Sequence, residues 1–173
     1  MADEKKEPWP NLLALTTVIL AAAATFATFK GGGYSTRSVL RQSQASDQWA
    51  FYQAKSIKGN LYEIERDHLA REVARGGAPA EDAKKLLDDV KAKVEKYDRE
   101  KAEIKAKAES LEKERDDAQR HGAPFGMATI YLQIGIILSS IAALLKKPPV
   151  YWIGLAVGAV GLVFFANGFF LFF

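Results

Sequence analysis

Apolar and polar positions fall into blocks along this chain, and inside the central block the apolar ones recur every three and four residues. "WPNLLALTTVILAAAATFATF" (9–29) carries no charge and runs into Lys30. "GAPFGMATIYLQIGIILSSIAALL" (122–145) is closed by Lys146 and Lys147, and "VYWIGLAVGAVGLVFFANGFFLFF" (150–173) is apolar throughout. Each run is about 20 residues, so at about 1.5 Å per residue it spans roughly 30 Å, the thickness of a bilayer's hydrocarbon core. Trp9, Phe29, Tyr151 and Trp152 stand at the ends of these runs, where amphipathic rings favour the headgroup layer. A soluble protein burying three such segments needs a polar shell larger than the remaining chain can supply. The pattern therefore predicts an N-terminal tail at 1–10 and transmembrane helices at 11–29, 123–145 and 150–173, with a short basic turn at 146–149. The leading "MADEKKE" is acidic and the first run is long for a secretory leader, so an uncleaved span is expected.

Between the first two spans the period changes. After Pro79 the 4-3 positions are Ala83, Leu87, Val90, Val94, Tyr97, Lys101, Ile104, Ala108, Leu111, Arg115 and Ala118, with charges elsewhere. That is the heptad signature of a coiled coil, weakened where Lys101 and Arg115 interrupt it. The preceding arm repeats the spacing at Ala50, Ala54, Ile57, Leu61, Ile64 and His68. "RGGAPAED" between them supplies a helix stop in Gly76 and Gly77, then Pro79 for a first turn and Glu81 and Asp82 for its positive end. Folding the arms back about Ala78 sets Leu61 near Val94, Ile57 near Tyr97 and Ile64 near Val90. The reading is an all-α membrane protein: three transmembrane helices with a long antiparallel coiled-coil hairpin (35–121, arms 35–75 and 79–121) between the first and second. Gly31–Gly33 predict a break at 30–34 with Ser35 as N-cap. "RHGAPFG" predicts the matching break, with Pro124 opening the second span.

Charge narrows the function classes. The 173-residue chain has a formal net charge of +3, but its basic residues alternate with acidic ones, as in "DDVKAKVEKYDREKAEIKAK". That gives a solvated, self-neutralising face rather than a phosphate-binding stripe, so no nucleic-acid partner is expected. No cysteine exists, which removes disulfides, thiol nucleophiles and thiolate metal sites. His68 and His121 fall at opposite ends of the hairpin and cannot share a metal, and His68 reads as a seam filler. Without a Ser–His–Asp or metal-ligand arrangement, neither an enzyme nor a cofactor is expected.

The spans hold no Asp, Glu, Lys, Arg or His; their polar side chains include Thr16, Thr17, Thr25, Thr28, Gln133, Ser139, Ser140 and Asn167. Ion-coupled transport normally uses buried charge; a passive pore lined by Thr, Ser and Gln stays open as an alternative. Gly154, Gly158 and Gly161 allow close helix approach and are candidate subunit contacts. Lys30, Gly31, Gly32, Gly33 and Arg37 lack the lysine-then-hydroxyl ending of a nucleotide loop and are expected to meet membrane lipid. "SQASDQWAFYQ" spreads aromatics around several faces. Ser43, Asp47, Trp49, Phe51 and Tyr52 are therefore the expected contacts with other copies or another membrane protein. Lys5, Lys6, Lys146 and Lys147 share one side, which favours a cytoplasmic N-terminus and an extracytoplasmic hairpin.

"NLLALTTVIL", "TFKGGGYSTRSVL" and "QSQASDQWAFYQAKSIKGNLYE", with the apolar C-terminal pair, resemble an uncharacterised bacterial membrane-protein family known as domain of unknown function 4337. The resemblance implies a bacterial inner-membrane protein with a helical middle and implies no activity. The expected function is a homo-oligomeric scaffold acting through its hairpin, the alternatives being a passive pore or an accessory subunit of a larger membrane complex.

Overall fold

The computed structural model of the chain describes residues 9–75 and 80–173. The predicted tail at 1–10, apart from Trp9 and Pro10, and the Gly76–Pro79 turn lie outside the described residues. Three helices follow in order: α1 (Trp9–Ala74), α2 (Ala80–Leu145) and α3 (Pro148–Phe170). Among the described residues there is no strand, and each helix contains a stretch long and apolar enough to cross a membrane.

α1 runs without interruption through 30–34, so the expected glycine break and its Ser35 cap do not exist. Glycine costs a helix about 1 kcal/mol each relative to Ala, a penalty that does not forbid continuation between long helix-forming flanks. Gly31 has a positive use there, since a Cβ on it would lie 3.2 Å from Phe125 Cβ on α2. Gly122 does the same from the other side, with Tyr34 Cβ at 3.2 Å from its would-be Cβ. The second expected break is also absent: Pro124 lies inside α2 rather than opening a new helix.

The chain forms two compact units, one from the segments up to Val39 and from Arg115 onward, the other from Leu40–Glu114. In the first, Leu20, Ala24 and Ala27 of α1 pack with Phe125, Ala128 and Leu132 of α2. Leu13, Ala142 and Tyr151 form a second cluster. Phe125 is wholly buried, with Phe169 edge-on at 5.0 Å and Phe165 at 5.9 Å. Its ring fits because Gly168 offers no Cβ; one placed there would sit 2.7 Å from it. Polar groups in this unit mostly turn inward on their own helices. Thr17, Thr25 and Thr28 donate to the carbonyls of Leu13, Ala21 and Ala24 at 2.8–2.9 Å, and Thr129 and Ser140 do likewise.

The link from α2 to α3 is shorter than the expected turn at 146–149. Lys146 takes the left-handed conformation (φ 52°), and the Lys147 N–H reaches back to the Ala142 carbonyl at 3.2 Å, the six-to-one bond of a Schellman stop. Lys147 is extended, as a residue before proline must be, and Pro148 starts α3. α3 therefore spans 148–170 rather than 150–173. Leu171 ends it in a left-handed turn, its N–H bonded to the Asn167 carbonyl at 2.8 Å. The buried Asn167 amide donates to the Phe173 carbonyl at 3.0 Å and accepts its N–H at 3.2 Å.

In the second unit, α2 buries the face its periodicity predicts: Leu87, Val90, Val94, Ile104, Ala108 and Leu111 are buried, and Tyr97 and Lys101 partly so. α1 buries a different face from the predicted one. Ile57, Leu61 and Ile64 are 63%, 62% and 65% exposed, and the expected neighbours of Val94, Tyr97 and Val90 are not there. The face turned to α2 carries Ala45, Gln48, Tyr52, Lys55, Gly59 and Tyr62, which repeat every three and four residues just as the aliphatic set does. Two heptad stripes coexist on one helix, and packing rather than hydrophobicity chose between them.

Candidate assembly and membrane-border sites

Two places have chemistry beyond packing: the outer face of α1 in the second unit, and the border region of the first unit around Gly31–Gly33.

The inner face of α1 in the second unit is fixed by specific polar contacts. Arg41 pairs with Glu114 at 2.9 Å, and the Trp49 indole N–H donates to Glu112 at 2.8 Å. Tyr52 meets the Trp49 ring edge-on at 5.7 Å. Lys55 donates to Glu100 at 2.6 Å and stands 5.4 Å from the Tyr97 ring centroid. Tyr62 stacks on Tyr97 at 5.4 Å, nearly parallel, with the Lys93 ammonium 5.1 Å from the Tyr62 ring. The hydrogen bond between Lys55 and Glu100 raises the lysine above its ordinary range and holds the carboxyl below its own, outweighing their partial desolvation. Lys101 is raised by its hydrogen bond to Asp98, 2.8 Å away.

This seam decides the predicted partner contacts. Trp49 and Tyr52 are half-buried and engaged within the unit, so only part of each ring faces outward. Ser43, Asp47 and Phe51 are exposed, Phe51 with the Lys55 ammonium 5.3 Å from its ring. Beyond them on the same outward side come Ala50, Ala54, Ile57, Leu61 and Ile64, all exposed. His68 continues that stripe, with Glu72 4.0 Å away, and is not a seam filler. α2 has no counterpart: among the described large apolar residues that this unit exposes, all but Leu86 lie on α1.

In the first unit, Gly154, Gly158 and Gly161 are buried between helices of the same chain. A Cβ on Gly154 would meet Leu138 Cβ at 3.0 Å, one on Gly158 would meet the Leu20 side chain at 2.8 Å, and one on Gly161 would meet Leu132 at 2.8 Å. Their lack of a side chain seats α3 against α2 and α1. The border residues divide by face. Gly31 looks inward to Phe125, whereas Gly32 and Gly33 have open space where a Cβ would stand. Lys30 and Arg37 flank Gly33 on one side of the helix and, with Phe29 and Thr36, line a shallow groove of about 630 Å³. The Lys30 ammonium lies 6.0 Å from the Phe169 ring. Because the backbone there is helical, its N–H groups are spent on the helix ladder and form no anion-binding loop. Any anion would be held by side chains. Among the described residues no group of three or more His, Asp or Glu is placed to hold a metal ion.

Residues 9–171 match the family described as "Domain of unknown function (DUF4337)", and the chain belongs to that family. Neither the curated proteins nor the solved structures contain a match to it.

Proposed function

We propose that this protein is a membrane-anchored scaffold that assembles with copies of itself. In this reading the three apolar stretches cross the bilayer of a bacterial inner membrane, and the water-exposed parts of α1 and α2 form an antiparallel coiled-coil hairpin on its outer side. The hairpin presents the outward stripe of α1 to the same stripe on a neighbouring copy. One observation carries the proposal: Ile57, Leu61 and Ile64 are each more than 60% exposed, at heptad spacing, opposite the seam that α1 already uses. A heptad stripe matches another helix with the same repeat. α2 offers no such face, because its outer side is charged, so the stripe's best complement is itself. Copies inserted with one orientation present it in parallel, and the flanking Gln53, Lys58 and Asn60 create no like-charge ladder. Covering each aliphatic side chain is worth about 2 kcal/mol, and confinement to one membrane raises the effective concentration of partners. At the membrane border, Lys30 and Arg37 are suited to lipid phosphates, with the exposed Phe26 and Phe29 toward the acyl chains.

The test is the mass of the full chain in lipid nanodiscs or mild detergent, for wild type and for Ile57→Ser combined with Leu61→Ser. Both residues face outward, so helicity should be retained. Wild type should run as an oligomer, and the variant should shift toward the single-chain mass. A wild type that is a single chain, or a variant with unchanged mass, overturns the proposal.

A further inference from the structure

The first unit holds a polar group that its own fold leaves unanswered. Gln133 sits near the middle of the apolar run of α2 and is exposed, and its side-chain amide makes no hydrogen bond with any described residue. Its neighbours across the surface are small or already satisfied. Ala24, Thr25 and Thr28 of α1, with Phe29, line the same groove of about 420 Å³. Both threonines donate to carbonyls of their own helix, which leaves their oxygens able to accept but their hydrogens committed. In water such an exposed amide would be ordinary. In hydrocarbon an unpaired amide costs several kcal/mol, because no solvent replaces its lost hydrogen bonds.

We infer that Gln133 is an intramembrane subunit contact, its carboxamide pairing with the Gln133 carboxamide or Thr oxygens of a second copy seated in the Ala24–Thr28 groove. This rests on the self-assembly reading above and supplies its membrane half. Two features select a second copy over a different protein. A carboxamide is donor and acceptor at once and so complements itself. In addition, every copy inserted in the same orientation carries Gln133 at the same depth, so a partner amide is always level with it. Thr25 and Thr28, short side chains exposed on α1, let a neighbouring backbone approach closely enough for that bond.

The absence of cysteine makes the test clean, because a single introduced thiol reports only its own neighbours. Gln133→Cys, Ile57→Cys and Val163→Cys are each placed in the full chain, reconstituted in phospholipid vesicles and oxidised. Disulfide-linked dimer is expected from positions 133 and 57. It is not expected from Val163, which is exposed on α3 and lies outside both proposed contacts. Dimer from 57 but not 133 overturns this inference and leaves the self-assembly reading standing; dimer from neither overturns both. A second arm uses sign. Gln133→Leu should lower the oligomer fraction several-fold in vesicles while the helices stay folded. An unchanged or larger oligomer fraction means that the amide faces lipid or water, not a partner, and sinks the proposal.

Discussion

Gly135 and Gly33 offer a matched pair of substitutions with opposite expected signs. Both lie inside helices, and in both the change to Ala gains about 1 kcal/mol of helix propensity. At Gly33 nothing lies within 4 Å of the new methyl, so that gain is the whole effect. At Gly135 the methyl would stand 3.0 Å from the Gly154 carbonyl oxygen, 3.0 Å from Gly158 Cα and 3.1 Å from Gly158 N. All three atoms are backbone, so no rotamer change relieves them. α2 and α3 must separate by about 0.5–1 Å, which forfeits a quarter to a half of each dispersion contact along that seam. Overpacking of this kind costs roughly 1–3 kcal/mol. After the propensity gain, Gly135→Ala should lose up to about 2 kcal/mol and Gly33→Ala should gain up to about 1 kcal/mol. Unfolding in mixed micelles with increasing SDS, followed by Trp fluorescence, reads both. A Gly135→Ala protein as stable as the Gly33→Ala protein would refute the close α2–α3 packing. Equal damage from Gly33→Ala would refute the open outer face of α1.

Three further outcomes follow from named contacts. Trp49→Phe removes the indole donor to Glu112 and should cost about 1 kcal/mol of stability while leaving oligomer mass unchanged; a normal thermal midpoint with lower mass would return Trp49 to the subunit interface. Lys146→Gly relieves a left-handed non-glycine residue and should raise stability by about 0.5–1 kcal/mol, measured in the same micelle titration; no gain would mean that Lys146 compensates elsewhere. The Lys55–Glu100 bond gives a pH signature. Glu100 is held below its ordinary value of 4.5, so its contribution is complete above that pH and is lost as pH falls through the lower folded value. Lys55 is raised above 10.5, so its contribution is complete below that pH and is lost as pH rises through the higher folded value. The thermal midpoint should therefore be flat, as far as this pair is concerned, across neutral pH. Glu100→Gln should lower it there and blunt its decline in acid; an identical midpoint for variant and wild type at pH 7 would remove the pair's role.

Much of this architecture is legible in the residues, and the exceptions share causes. The apolar runs 9–29, 122–145 and 150–173 are unmistakable because nothing else places that much uncharged surface in one helix. The α2 seam is equally legible, since Lys, Asp and Glu crowd the other faces and, Lys101 and Arg115 apart, leave the one with Leu87, Val90, Val94, Ile104 and Leu111 apolar. Glycine misled at 31–33 and 122, where it reads as punctuation although the helices run on; Gly31 and Gly122 serve as places for helices to approach, a use that only Phe125 and Tyr34 on the facing helices reveal. The inner stripe of α1 was missed because Arg41, Gln48, Lys55 and Gly59 look like a solvated face. The usable signal was its own 4-3 spacing, with Tyr34, Tyr52 and Tyr62 recurring on it. Ring residues and a glycine on one heptad line indicate a close, aromatic seam even when the line is not apolar.

That choice of stripe is also what makes self-assembly the strongest functional reading. Suppose α1 were rotated to put Ile57, Leu61 and Ile64 against α2. Tyr97 would then lose the stacked Tyr62 ring and the nearby Lys55 ammonium, Lys55 and Glu100 would part, and Tyr52 and Tyr62 would turn to water. The observed register avoids those costs: Gly59 brings the backbone within ordinary contact of Tyr97, its would-be Cβ 3.5 Å from Tyr97 Cβ, and Tyr62 covers the ring. The remaining cost is three exposed aliphatic side chains, roughly 2 kcal/mol each if left in water. Among the described residues of this unit no second apolar face covers them, because the outside of α2 is charged. The same logic holds at Gln133, where a fold that satisfies its threonines leaves one amide outward. Under that reading each feature, taken by itself, is unfavourable in an isolated chain and becomes favourable when a like-oriented neighbour supplies the missing surface.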